Sequence, residues 1–169
     1  MSAKKVAVVM GSDSDLETAM KAVDILAGFG IEHSVSVMSA HRSPEKVWEF
    51  ATKAKADGVA VIIALAGGAA HLAGVISSAT TLPVIGVPIP TNVAGGLDSL
   101  LSTAQMPAGV PVLSVGIGSS GAANAAVAAA RILALSDQKL AATLDEYRSS
   151  LAAAVEEKDA RVKARLEKK

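Results

Sequence analysis

The chain has 169 residues, about the length of one ordinary domain; half of it is apolar but only 2% is aromatic, so small aliphatic side chains do the packing. Sixteen basic and sixteen acidic residues balance, which argues against a general surface for nucleic acid or an anionic membrane. There is no cysteine, and this excludes disulfides, thiolate catalysis and cysteine-held metals.

The first ten residues hold two lysines and a short apolar run. They lead directly into the polar Gly11-Ser12-Asp13, unlike a signal peptide, and a cytoplasmic enzyme or binding protein is expected. Val6–Met10 reads as a buried strand, followed by the turn Gly11–Asp15 and a helix from about Asp15 to Gly28. Ser34–Met38 reads as the second strand. The helix from Pro44 to about Ala56 opens on Ser43-Pro44, a serine cap with proline in the first turn. Val59–Leu65 is a third strand, and Gly67-Gly68-Ala69-Ala70-His71 leads into a short helix ending near Ser78. A strand at Pro83–Val87, a helix from Gly96 to Thr103, a strand at Val110–Val115, a turn at Gly116–Gly121 and an alanine-rich helix to Leu135 complete the alternation. Such an alternation predicts one parallel sheet between two layers of helices. Residues 1–155 are expected to form a single domain. Leu140, Leu144, Tyr147, Leu151 and Val155 are spaced as a helical stripe, and a charged tail, helical or frayed, follows over 156–169.

Between Gly58 and Ala130 the only Asp, Glu, Lys or Arg is Asp98. A membrane span is not expected, because glycine pairs and prolines cut the apolar runs to 4–8 residues, well short of about 20. Parallel strands buried on both faces read as unbroken apolar runs. Helices covering them would still need a charged outer face, which is nearly absent here. Those outer faces are therefore expected to be covered by other subunits, making the protein a homo-oligomer.

In open parallel sheets, ligands bind beyond the carboxyl ends of the strands. Three strand ends carry suitable groups. Gly11-Ser12-Asp13-Ser14-Asp15 offers hydroxyls and a helix N-terminus to a phosphate, although Ser14 and Glu17 also match a capping box. Asp15 is either a ribose ligand or a first-turn acid that satisfies the helix dipole. Ser39-Ala40-His41-Arg42 places an imidazole beside a fixed cation, suited to acid/base work on an anion, with Arg42 sharing the phosphate. The plainer alternative is a loop histidine and a surface arginine. Gly67 and Gly68 allow backbone to approach a flat ligand, and His71 is either a second polar contact or a helix-cap histidine. No histidine pair has metal-ligand spacing, and His33 reads as a surface residue at a strand start.

Six segments together resemble the class I family of N5-carboxyaminoimidazole ribonucleotide mutases: Val8–Asp15, Ser39–Arg42, Ala66–Leu72, Leu97–Leu100, Gln105–Pro107 and Gly121–Ala126. The resemblance covers about residues 5–135 in the family's order and spacing. It implies a three-layer, flavodoxin-like parallel β-sheet flanked by helices, an octamer with sites where subunits meet, and no metal or organic cofactor. The implied reaction moves a carboxylate from N5 of a ribonucleotide to carbon 4 of its imidazole ring, in purine biosynthesis. It proceeds through carbon dioxide held in the site, with His41 as general acid and base. Ser12, Ser39 and Arg42 would hold the phosphate and Asp15 the ribose, with Ser14 beside them. Gly67, Gly68, His71 and Leu72 would close over the base. Leu65 and Ala73 depart from the family's usual glycine and proline beside that loop. The alternatives are a class II carboxylase acting directly with carbon dioxide, and a non-catalytic nucleotide-binding module.

Overall fold

The computed structural model describes residues 5–167. Its elements are β1 (Lys5–Met10), α1 (Leu16–Gly28), β2 (His33–Val37), α2 (Pro44–Lys53), β3 (Val59–Ala66), α3 (Leu72–Ala79), β4 (Val84–Pro88), α4 (Leu97–Ala104), β5 (Leu113–Ser114), α5 (Gly118–Ala134) and α6 (Gln138–Leu166). The five strands form one sheet in the order β2-β1-β3-β4-β5, every neighbouring pair parallel. This is the flavodoxin-like order, with its reversal between β1 and β3.

The central strands explain their own sequence. Ala7 and Val9 of β1 and Ile62 and Ala64 of β3 pack against Val47 and Ala51 of α2 and Leu72 and Ile76 of α3. Their alternate neighbours, Val6, Val8, Met10, Ile63 and Leu65, point to the opposite face and are just as buried. A strand covered on both faces has no polar position, hence its unbroken apolar run. The edges differ. Val35 and Val37 of β2 and Leu113 of β5 are exposed.

Two boundaries move from their expected places for physical reasons. The last strand pairs only at Leu113–Ser114, not across Val110–Val115, because Pro111 has no N–H to give the ladder. The glycine-serine stretch expected to be a turn instead starts α5 at Gly118. Gly121 makes that possible, since a Cβ there would lie 1.6 Å from the carbonyl oxygen of Gly116. Beyond it, Ala122, Ala125, Ala126, Ala129 and Ala130 form a fully buried stripe.

The chain divides into two compact units after Leu133. In the second, Asp137 caps α6 by accepting from the Leu140 N–H at 3.0 Å. The helix then runs unbroken through residues 155 and 156 to Leu166; residues 168–169 of the expected tail lie outside the described residues. Among the described residues no helix is long and apolar enough to cross a membrane.

Candidate active site

Where strand order reverses, the connections leave β1 and β3 on opposite sides and a crevice opens at their carboxyl ends. A cavity of about 520 Å³ occupies it, within the range of small-molecule sites. Its walls come from the turns after β1, β2, β3 and β4. Ser12, Ser14, Asp15, Ser39, His41, Arg42, Gly67, His71 and Leu72 all line it. Gly68 does not, although the sequence suggested it would meet the ligand.

The turn after β1 is a short 3-10 helix at Asp13–Asp15, capped by Ser12, whose Oγ accepts from the Ser14 N–H at 3.3 Å. The expected capping box between Ser14 and Glu17 does not form. The Ser14 hydroxyl instead lies 2.9 Å from Ser12 Oγ and 3.1 Å from Asp15 Oδ1. Asp15 is buried, and burial pushes its carboxyl above the usual carboxylate range; the Ser14 hydroxyl and the Ser12 backbone partly oppose this. A buried carboxylate with few fixed donors suits a ligand that brings hydroxyls of its own.

The turn after β2 is closed by two serines. Ser39 N–H donates to Ser43 Oγ at 3.0 Å, and the Ser43 hydroxyl donates back to the Ser39 carbonyl at 3.2 Å. Ser43 therefore gives no side-chain cap to α2, which begins at Pro44 without one. The Ser43 hydroxyl is used to brace the turn instead. Ser39 Oγ accepts from the Arg42 N–H at 3.2 Å, leaving its own proton for an anion. Held on this turn, His41 projects across the crevice.

His41 Nε2 lies 2.8 Å from Nδ1 of His71, with the rings edge-to-face at 4.9 Å between centroids. His71 opens α3 but makes no side-chain cap bond, so its ring serves His41 rather than the helix. Across this contact one nitrogen must donate and the other accept. Two fully protonated rings would set donor against donor. A proton can therefore pass from one ring to the other along this contact. Both histidines and Arg42 are exposed in the protomer.

The loop bearing His71 is held from behind by α4. Ser99 Oγ, fully buried, accepts from Gly68 N–H at 2.8 Å, which turns this amide away from the cavity. Gly68 has φ +67°, a conformation that glycine adopts freely. The Ser102 hydroxyl donates to the Gly68 carbonyl at 2.8 Å, and its oxygen accepts from Ala70 N–H at 3.3 Å. Ser99 and Ser102 escape a reading of sequence alone. Their one signal is the i, i+3 spacing, which puts them on one helix face. Asp98 tethers the next loop, accepting from the Thr91 hydroxyl at 2.6 Å, a bond that holds its carboxyl below the usual range. Leu65 is fully buried in β3 and Ala73 is buried in the first turn of α3, so neither departure reaches the cavity. His33 opens β2 and donates from Nδ1 to the Ile31 carbonyl at 2.9 Å, away from the cavity. Among the described residues no three histidine or acidic groups gather as a metal set would.

Comparison with known proteins gives a consistent result. The family model described as AIR carboxylase matches residues 5–154. A Brucella melitensis protein named N5-carboxyaminoimidazole ribonucleotide mutase is 52% identical over 153 residues, 90% of this chain and 94% of that protein. Proteins of the same name from Aquifex aeolicus and Escherichia coli are 55% and 49% identical over 140 and 146 residues, covering 83% and 86% of this chain and the same shares of their own. The crystal structure of Treponema denticola PurE superposes with a TM-score of 0.85 at 31% identity, covering 94% of this chain and 98% of that one.

Replacing Ser99 with alanine strands the Gly68 N–H, an expected cost of about 1–3 kcal/mol in unfolding free energy. The imidazole signals of His41 and His71 in a histidine-labelled nuclear magnetic resonance spectrum are expected to move with it. Unchanged thermal unfolding together with unchanged ring signals would show that α4 does not hold the loop.

Proposed function

The chain belongs to the AIR carboxylase family, and on that premise we propose that it is an N5-carboxyaminoimidazole ribonucleotide mutase of purine biosynthesis. The observation that supports this most directly is the His41–His71 contact, poised over a crevice whose far end is a serine-lined helix start. It joins a group that can give and take a proton near neutral pH to a separate anchor for an anion.

In the proposed reaction the N-carboxylate binds with its phosphate on Ser12, Ser39 and Arg42. The ribose hydroxyls donate to Asp15, which Ser14 braces. The ring lies against Gly67 and Leu72, below the loop that Gly68 shapes. The bond between N5 and the carboxylate carbon breaks, carbon dioxide departs, and N5 takes a proton from His41. Carbon 4 of the ring then attacks the carbon dioxide, forming the new carbon–carbon bond. His41 removes the proton from carbon 4, and the ring regains its aromaticity. The proton lent in the first half returns in the second, so the reaction is a balanced isomerisation that needs no co-reactant. His71 accepts or supplies the partner hydrogen bond as the charge on His41 changes. Phosphate binding remote from the reacting carbon supplies orientation.

The proposed catalytic unit is a single domain over residues 1–155, followed by a tail over 156–169. It works in the cytoplasm as a homo-oligomer, the octamer that the family resemblance implies, with sites at subunit boundaries. Exposed apolar residues, Leu16 and Met20 of α1 and Trp48 of α2, support such an assembly.

The test is turnover of the N-carboxylated ribonucleotide against the unmodified ribonucleotide with bicarbonate. Efficient turnover of the former is expected. Turnover of only the latter would identify a class II carboxylase, and turnover of neither a binding module. His41→Asn is expected to lose at least about 100-fold in kcat while still binding product, measured by calorimetry. Near-normal turnover would remove His41 from the chemistry.

Asp15→Asn separates binding from stability. A carboxyl raised by burial binds its proton more tightly in the folded than in the unfolded chain. Above that raised value the charge opposes folding, and the opposition fades as pH falls through it. Asparagine removes it, so the ligand-free variant is expected to melt higher at neutral pH. Its KM is expected to rise about 10-fold or more through the lost ribose hydrogen bonds. A lower melting temperature with an unchanged KM would contradict both roles.

A further inference from the structure

Asp98 is the only Asp, Glu, Lys or Arg between Gly58 and Ala130, and the proposed chemistry gives it no part. It stands second in α4, where an acid satisfies the helix dipole wherever its side chain points. Here the side chain turns back to the loop that precedes the helix. Its Oδ1 accepts from the Thr91 hydroxyl at 2.6 Å, and the Thr91 oxygen accepts from the Val93 N–H at 3.2 Å. A hydrogen bond to an ionised acceptor is shorter and stronger than one between neutral groups. The Thr91 bond is foremost among those that hold the carboxyl below its usual range, so it stays an acceptor at neutral pH.

The loop closed by this bond does not keep its shape by local preference. It enters α4 through three successive residues of positive φ, Ala94, Gly95 and Gly96, at +45°, +69° and +106°. For an alanine that conformation persists only where the surroundings impose it. The start of the same loop belongs to the site. Ile89 and Pro90 line the cavity, and the Ile89 N–H donates to the Ala66 carbonyl at 2.9 Å. Gly67 lies directly against this segment: a Cβ there would be 3.3 Å from Ile89 Cβ and 3.7 Å from Thr91 Cγ2. The residue after it, Gly68, is held by Ser99. Asp98 and Ser99 are neighbours in one turn of α4, yet they reach two different loops. Gly67, a wall of the cavity, sits between the two attachments.

We propose that Asp98 is a positioning residue: through Thr91 it fixes the segment behind Gly67, and so sets where the ring of the substrate lies relative to His41. The identity of that ring rests on the proposed mutase activity; the attachment of Gly67 does not. A displacement of about 1 Å between reacting groups can cost on the order of 100-fold in rate. The phosphate anchors proposed above, Ser12, Ser39 and Arg42, stand on the turns after β1 and β2 and do not depend on this tether. Its loss therefore falls on kcat rather than on KM.

Thr91→Val keeps the shape of the side chain and removes the hydroxyl, whereas Thr91→Ser keeps the hydroxyl. With the N-carboxylated ribonucleotide, Thr91→Val is expected to lose about 10-fold or more in kcat, while KM and product affinity by calorimetry stay within about 3-fold of wild type. Thr91→Ser is expected to stay within about 3-fold of wild type in all three. Asp98→Ala should match Thr91→Val, and the double variant should be no worse than either, because each removes the same interaction. In a glycine-labelled nuclear magnetic resonance spectrum of the ligand-free protein, the Gly67 amide signal is expected to move further in Thr91→Val than in Thr91→Ser. Unchanged kcat in Thr91→Val would overturn the proposal. So would an equal loss in Thr91→Ser, or a loss shared equally by kcat and product affinity. If Asp98→Ala fails to fold, the two Thr91 variants decide. If the wild type does not turn over this substrate, the mutase reading fails and the Gly67 signal decides. A larger movement in Thr91→Val than in Thr91→Ser then supports the tether, and an equal or smaller one overturns it.

Discussion

The parallel pairing of β1 with β3 is the constraint on which the rest depends. These strands are neighbours in the sheet but not in the chain, and β2 lies outside them. The connections from β1 and β3 must therefore leave in opposite directions, and the backbone cannot fill the gap between. The ladder extends one bond past β1, from Gly11 N–H to the Leu65 carbonyl at 3.0 Å. That bond fixes the start of the serine turn against the start of the glycine loop. Every group in the cavity is placed relative to this junction.

From that junction the two histidines arrive by different routes. His41 is carried on a turn braced by Ser39 and Ser43, 30 residues away in sequence from His71. His71 is carried on a loop braced from α4 by Ser99 and Ser102. Serine suits both braces because one hydroxyl donates and accepts within a short reach. The result is an imidazole pair mounted on two braced turns, as the proposed proton transfer over hydrogen-bond distance would require.

Much of this was legible in the chain because it follows from local pattern. Uncharged runs marked β1, β3 and β4, and strand-end motifs located the serine turn, His41 and the glycine loop. What was not legible depends on contacts between distant segments. Ser43 looks like a helix cap in sequence and proves to be a turn brace, since only the fold brings Ser39 back to it. Ser99 and Ser102 look like the polar face of a helix until β4 carries α4 behind the glycine loop. Gly68 was read as an approach to ligand, and its amide instead faces Ser99. The start of α5 was hidden because a glycine-serine run favours a turn locally, whereas packing of Gly121 against Gly116 favours a helix.

The proposed chemistry makes one further demand on this geometry. Carbon dioxide released in the crevice must meet carbon 4 before it escapes or is hydrated, so water has to be kept out. In the protomer His41, Arg42 and His71 are all exposed, and the mouth of the cavity is open to solvent. Leu16 and Met20 of α1 and Trp48 of α2 are exposed as well, which is costly in a lone protomer. An open reactive mouth and exposed apolar side chains are two costs that the proposed assembly would remove. The near absence of charge between Gly58 and Ala130 then becomes intelligible. In the proposed assembly that segment is buried both within the fold and against neighbouring chains and can keep few charges, and Asp98 of α4, the one it keeps, is tied to Thr91 in the preceding loop.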